Sequence, residues 1–265
     1  MFVACSTLCF AREPLETALR QIAELEFDKF ELALVEDGQH LRPSEVGDNP
    51  EAALQRLRSG PSLIPSSLYI DFGRVDWTDP LTRKRFDGLC RLAKSLSVAV
   101  ITLHASPTGT PVADEVKRLA PLAGYAMREG LVLALITHVD TLTADPRVAV
   151  ELCQLVPGLG LTLDPSHFLQ GTQPNIDYDA VFPYVQNVHL RDTGLVPGEF
   201  QVRVGQGQIE YARIVNLLER YGYSRSLTVA IIDRPDNRQR LLQRRRSVDQ
   251  HIFARLESPL IDCNC

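Results

Sequence analysis

Several side chains able to bind a metal ion follow apolar runs of this sequence. His104 ends the run Ile-Thr-Leu-His, His138 follows Leu-Ile-Thr, and His189 lies in Asn-Val-His-Leu. Asp164 and His167 share the segment Leu-Asp-Pro-Ser-His. Imidazole and carboxylate groups are ligands that suit Zn²⁺, Mn²⁺ and Fe²⁺. Because one histidine behind one apolar run is usually a hydrogen-bonded packing residue, the chemistry depends on whether the fold brings these side chains together.

The apolar runs are short and rich in β-branched residues, a composition typical of buried parallel strands. Pro65 makes the third of them the weakest prediction. The predicted strands are Phe2–Ser6, Lys29–Leu34, Ser62–Tyr69, Val98–His104, Leu131–Thr137, Gly160–Leu163, Val185–Leu190 and Ser226–Ile232. Amphipathic segments predict helices over Pro14–Leu25, Arg42–Ser59, Thr82–Ser97, Ala113–Arg128, Asp145–Leu155, Ile209–Tyr221 and Asn237–Leu256, with a short one over Tyr178–Tyr184.

This alternation of eight strands with about as many helices predicts a closed (β/α)₈ TIM barrel, an α/β fold with a single domain over residues 1–265. The length suits one such domain, and no linker rich in glycine or serine divides the chain. A doubly wound open sheet is the alternative architecture. In a barrel the carboxyl ends of the strands meet at one mouth, so we expect His104, His138, Asp164 and His189 to converge there.

Almost the whole chain resembles the xylose-isomerase-like TIM barrels of the AP endonuclease 2 type, in particular their sugar isomerase and epimerase branch. The middle and end of the chain carry the most specific likeness. Leu159–Phe168 is similar to strand six of that family, and Val188–Asp192 to its strand seven. The remaining segments that carry the resemblance are Thr7–Phe10, Phe27–Ala33, Arg203–Tyr211 with its Gly-Gln-Gly-Gln-Ile-Glu loop, and Tyr221–Val229.

In the sugar isomerases and epimerases of that family, one divalent metal is held by Glu on strand five, Asp on strand six, His on strand seven and Glu on strand eight. Carried onto this sequence, the resemblance implies Asp164 and His189 as metal ligands. The two glutamate positions fall on Ile136 and Ala230. In the epimerases the same glutamates are the acid and the base, and neither Ile nor Ala can ligate a cation or move a proton. The catalytic residues therefore stay unassigned.

The loss of two carboxylates leaves a poor site for Mg²⁺ or Mn²⁺. We therefore predict an altered or degenerate metal site on Asp164, His189 and His167. This site holds either one divalent metal, with Zn²⁺ favoured over Mn²⁺ and Mg²⁺, or no metal.

The resemblance also implies that His104, His138, Asp192 and Arg203 border a substrate. The expected function is that of a sugar isomerase/epimerase-like protein that acts on or binds a small carbohydrate or a related metabolite. One alternative is a non-catalytic barrel that binds a sugar or a partner. A less favoured one is DNA repair of the AP-endonuclease type, because Gln201 stands where that branch carries a metal-binding histidine.

The charge and the composition of the chain limit the classes of partner and the compartment that we expect for this protein. A formal net charge of −5 argues against nucleic acid, because phosphate backbones require clustered Lys and Arg. No stretch approaches the ~18 apolar residues of a membrane span, and the apolar start of the chain is interpreted as a strand rather than a signal peptide. Six cysteines without regular spacing, including Cys263 and Cys265 near the end, predict reduced thiols in a cytoplasmic protein. The oligomeric state stays open.

Overall fold

The computed structural model describes residues 1–171, 176–194, 199, 201–202 and 204–231. Eight parallel strands follow one another around a closed barrel, in chain order. The ring closes where the first strand pairs with the eighth, in a register that sets Phe2 opposite Ser226 and Cys5 opposite Val229. This closure confirms the predicted barrel and excludes the open sheet. The strands are β1 Phe2–Ser6, β2 Lys29–Val35, β3 Ile64–Asp71, β4 Val100–His104, β5 Val132–Ile136, β6 Leu159–Leu163, β7 Val185–Leu190 and β8 Ser226–Val229.

Helices between the strands pack on the outside of the barrel. They are α1 Leu15–Glu24, α2 Pro43–Asp48, α3 Pro50–Arg58, α4 Pro80–Ser95, α5 Val112–Arg128, α6 Pro146–Leu155, α7 Pro165–Leu169 and α8 Tyr211–Arg220, with 3₁₀ helices at Thr7–Phe10, Leu142–Ala144 and Asp179–Tyr184. The predicted helix over Arg42–Ser59 is divided at Asn49, whose side chain accepts a hydrogen bond from the Ala52 N–H at 3.1 Å and caps α3. The predicted helix over Asn237–Leu256 lies outside the described residues.

Pro65 does not end the third strand. The pairing of β2 with β3 changes register beside it, so that Pro65 lies opposite Phe30 while Ser67 lies opposite Glu31. Such a bulge accommodates a residue that has no N–H to give to the ladder. The bulge also sets the position of Glu31 within the barrel.

The two faces of each strand differ in character. On β5, Leu133 and Leu135 belong to the large apolar core between strands and helices. Inside the barrel, the fully buried hydroxyls of Thr102 and Thr162 lie 2.7 Å apart, which joins β4 to β6 across β5. The interior is therefore lined partly by small and polar side chains, and these support the mouth from below.

Two further features concern the whole of the described chain. Cys5, Cys9, Cys90 and Cys153 are buried and free, while Cys263 and Cys265 lie outside the described residues. None of the helices within the described ranges has the length and apolar character that a membrane crossing requires.

Candidate functional site at the barrel mouth

A wall of aromatic rings crosses the mouth of the barrel. The Tyr69 hydroxyl lies 2.5 Å from Nε2 of His104. The rings of His104 and His138 lie 5.1 Å apart between centroids, and those of His138 and His167 lie 4.2 Å apart. The Tyr69 ring also lies 6.0 Å from that of His189. Strands β3, β4 and β7, together with the segments that follow β5 and β6, thus bring these residues together, as the spacing of the histidines predicts.

Asp164, the residue after β6, is paired with a cation supplied by the chain itself. Its carboxylate Oδ2 accepts a hydrogen bond from Nη2 of Arg191 at 2.8 Å. Its Oδ1 accepts from the N–H of Ser166 at 3.1 Å and from the Ser166 hydroxyl at 2.5 Å, which caps α7. Burial acts to raise the pKa of Asp164, but the positive charge of Arg191 keeps this pKa below its ordinary value. Asp164 is therefore an ionised, fully partnered carboxylate.

His189 on β7 points toward a second buried carboxylate. Its Nε2 lies 3.0 Å from Glu31 on β2, and both side chains are almost completely buried. Glu31 also accepts hydrogen bonds from the Ser67 hydroxyl at 2.9 Å and the Asn187 amide at 3.0 Å. Burial acts against both charges, but their mutual attraction lowers the pKa of Glu31 and raises that of His189. The sequence analysis missed Glu31, whose signal is a lone acidic residue inside the apolar run Phe-Glu-Leu-Ala-Leu.

Apolar side chains occupy the two positions at which the resemblance implies glutamates. Ile136, at the end of β5, is buried and packs with Ala33 and Tyr69. These three residues come from β2, β3 and β5, and β5 is not adjacent to β2 or β3 in the ring, so their side chains can contact one another only inside the barrel. Ala230 follows β8 on the same side as Thr228, which hydrogen-bonds Asn187 in the interior. Both positions therefore face the inside of the mouth.

Three histidines of the wall, His104, His138 and His167, are neutral at neutral pH. Burial, with the neighbouring His138, lowers the pKa of His104 to about 4. Burial also lowers the pKa of His138, and it lowers that of His167 to about 3. A neutral imidazole offers one N–H donor and one acceptor nitrogen. A wall of such rings suits a ligand that carries hydroxyl groups, each of which both donates and accepts.

Asp192 has a different environment from the one implied by the resemblance. Its carboxylate is buried and accepts hydrogen bonds from the N–H groups of Gly205 at 2.8 Å, Gly207 at 2.9 Å and Ile209 at 3.2 Å, and also from that of Thr193. A Cβ atom at Gly207 would lie 2.1 Å from Asp192 Oδ1, so only glycine permits this approach. Asp192 thus holds the loop before α8 in place and is not turned toward a ligand, because the backbone uses both of its oxygens. Arg203 lies outside the described residues.

A cleft of about 350 Å³ adjoins the mouth between the segments that follow β3 and β4. The residues that line it include Asp71, Trp77, His104 and Arg118. Trp77 packs edge-on against Phe72, with ring centroids 5.2 Å apart, and the Arg118 guanidinium lies over the Trp77 ring. Trp77 is therefore held by Phe72 and Arg118 where it lines the cleft.

The sequence profile of the xylose isomerase-like TIM barrel family matches residues 19–250, which is most of the chain. The chain belongs to this family. A comparison with curated proteins finds no match.

Solved structures share the architecture of this xylose isomerase-like barrel over nearly its whole length. The IOLI protein with a bound zinc atom has a TM-score of 0.73 and 18% identity, covering 97% of this chain and 100% of that one. The probable 3-DHS dehydratase AsbF of Bacillus anthracis has a TM-score of 0.70 and 18% identity, covering 94% and 99%. A D-tagatose 3-epimerase-like protein has a TM-score of 0.69 and 17% identity, covering 96% and 100%. At these identities the likeness establishes the fold.

In this xylose isomerase-like barrel, the donor groups among the described residues are not arranged to fit a metal ion. Within the described part of the chain, no group of three or more His, Cys, Asp or Glu residues could hold one. Nε2 of His167 lies 3.8 Å from Oδ2 of Asp164, but both atoms contact Arg191. Nε2 of His189 lies against Glu31. The set predicted from the sequence, Asp164, His189 and His167, is thus gathered at the mouth but engaged with other protein groups.

Proposed function

We propose that the mouth of this barrel binds a small carbohydrate or a related polyhydroxylated metabolite, as a sugar isomerase/epimerase-like protein whose metal site is altered. The observation that carries the proposal is the row of neutral imidazoles, those of His104, His138 and His167, at the carboxyl ends of the strands. His104 and His138 are partly exposed there, beside the buried Asp164–Arg191 pair. Active sites of TIM barrels lie at this end.

The structural neighbours agree with this class of ligand. The names of several of them refer to carbohydrates, such as a 3-keto-D-glucoside 4-epimerase of E. coli and a D-psicose 3-epimerase solved in the presence of D-fructose. Ile136 and Tyr69 supply apolar surface beside the polar histidines. This combination suits a sugar, because a sugar has C–H surfaces between its hydroxyl groups. We place the ligand against His104, His138 and the Asp164–Arg191 pair.

Binding is tested by calorimetric titration with ketohexoses, aldohexoses and cyclic polyols. The variant His138→Ala is expected to weaken binding of the best ligand about tenfold, since it removes a hydrogen-bonding ring worth ~1.4 kcal/mol. The control is Lys117→Ala, whose side chain on α5 is exposed and pairs with Asp114. An unchanged dissociation constant for His138→Ala, with a folded protein, would contradict this placement.

A second candidate is a barrel that binds the same ligand without catalysis. Ile136 and Ala230 favour it, because neither side chain can transfer a proton at the positions that face the inside of the mouth. The two candidates are separated by NMR in D₂O, which detects both conversion of the ligand to an isomer or epimer and exchange of a carbon-bound proton. Conversion or exchange that depends on the protein supports the enzyme, and binding without either supports the second candidate.

DNA is not expected to be a ligand. The formal net charge is −5, and a groove that follows a phosphate backbone requires many unpaired cations. We expect no salt-sensitive binding to duplex DNA with an abasic site at physiological ionic strength, measured by fluorescence anisotropy. Tight binding that weakens steeply with added salt would instead support the repair-enzyme alternative.

A further inference from the structure

The strongest feature that the proposed function leaves unexplained is the position of Arg191. This residue follows β7 directly, two positions after His189, so that alternation turns both side chains to the inside. Only 7% of Arg191 is exposed. Burying a guanidinium is costly unless it is paired and hydrogen-bonded, so its partners decide what it does.

Three groups at the end of β6 hold the guanidinium. Nη2 donates to Asp164 Oδ2 at 2.8 Å, and Nε donates to the Ser166 hydroxyl at 3.0 Å. Nη2 also contacts Nε2 of His167. A guanidinium only donates and keeps its charge at every physiological pH. Arg191 therefore places a positive charge between Asp164 and His167.

Charge balance shows what this arrangement means for a metal ion. The resemblance implies a ligand set with three carboxylates around one divalent cation. Here Ile136 and Ala230 remove two of them, and Arg191 neutralises the third, Asp164. A divalent cation would meet an Asp164–Arg191 pair without net charge and would be repelled by the guanidinium. His189, the second metal ligand that the resemblance implies, is already paired with Glu31.

We propose that Arg191 is a built-in cation that takes the role of the metal in this barrel: its guanidinium orients Asp164 and His167 and excludes a divalent ion from them. The same guanidinium also faces the oxygen atoms of a bound carbohydrate; this second role rests on the proposed function. The exclusion of the metal does not rest on it, because it follows from the contacts among protein groups alone.

The test is calorimetric titration of Mn²⁺ and of Zn²⁺ into the full-length protein after dialysis against EDTA. The wild type is expected to show no saturable site that depends on Asp164, so its titration matches that of Asp164→Asn. Arg191→Met removes the charge but keeps the length of the side chain, and it frees Asp164 and His167. This variant is expected to gain a saturable Zn²⁺ site, at least about tenfold tighter than any residual Zn²⁺ binding by the wild type. Arg191→Lys, which keeps the charge, is the matched control and should resemble the wild type.

Comparison with Asp164→Asn separates the site from thiols elsewhere, including Cys263 and Cys265. Saturable Mn²⁺ or Zn²⁺ binding by the wild type that Asp164→Asn abolishes would overturn the proposal. So would an Arg191→Met protein that is folded by circular dichroism and gains no Zn²⁺ site. If Arg191→Met does not fold, the comparison of the wild type with Asp164→Asn still tests whether a divalent ion is excluded from Asp164. Carbohydrate binding is measured in a separate titration. A failure to bind any carbohydrate would contradict the proposed function but would leave the result of the metal titration unchanged.

Discussion

Replacing Glu31 with alanine is expected to lower the free energy of unfolding by about 3–5 kcal/mol, the cost of removing one partner of a buried ion pair. His189 would keep a buried imidazole without its carboxylate, and Ser67 and Asn187 would lose their acceptor. For a chain of this size the melting temperature should fall by roughly 6–20 °C. Calorimetric or circular-dichroism melting measures the change.

Two variants separate charge from hydrogen bonding at this position. Ser67→Ala removes one of the hydrogen bonds to Glu31 and should cost only about 1 kcal/mol. Glu31→Gln keeps an acceptor oxygen but removes the negative charge, so its effect should lie between those of Ser67→Ala and Glu31→Ala. A Glu31→Ala protein that melts within about 2 °C of the wild type would show that the pair does not support the barrel.

Returning carboxylates to the mouth is expected to create a Mn²⁺ site. The double variant Ile136→Glu, Ala230→Glu places two carboxylates at positions that face the inside of the mouth beside Asp164 and His189. Each adds an attraction worth several kcal/mol by order of magnitude in a partly dry site. Because Arg191 would pair with the new carboxylates, the gain should be largest when Arg191→Met is added. We expect this triple variant to bind Mn²⁺ about 100-fold more tightly than the wild type, or better.

The measurement is titration of Mn²⁺ into the wild type, the double variant and the triple variant, with affinity rising in that order. A control carries Leu133→Glu in place of Ile136→Glu, because Leu133 lies on the same strand but faces the helices. That protein should lose stability without gaining a site. Equal and negligible heats for all three folded proteins would mean that Ile136 and Ala230 do not face Asp164.

The hydrophobic pattern predicted the eight strands within a few residues, because a buried parallel strand is a short apolar run whatever surrounds it. Two differences have local causes. Asn49 and Pro50 start a new helix inside a segment predicted as one, and the bulge beside Pro65 lets a strand continue past a proline. The convergence of His104, His138, Asp164 and His189 was also predictable, because a closed parallel barrel directs every strand end to one mouth.

The partners of those residues could not be predicted in the same way. Glu31 and His189 are 158 residues apart, and only closure of the ring sets them 3.0 Å from each other. Asp192 looked equally suited to a ligand, but the loop around Gly207 folds back and uses its oxygens. The sequence by itself determined which residues end the strands, because strand limits and side-chain alternation are local properties. Only the tertiary structure decided that Arg191 pairs with Asp164, because contacts between side chains of different strands depend on distances that no single segment contains.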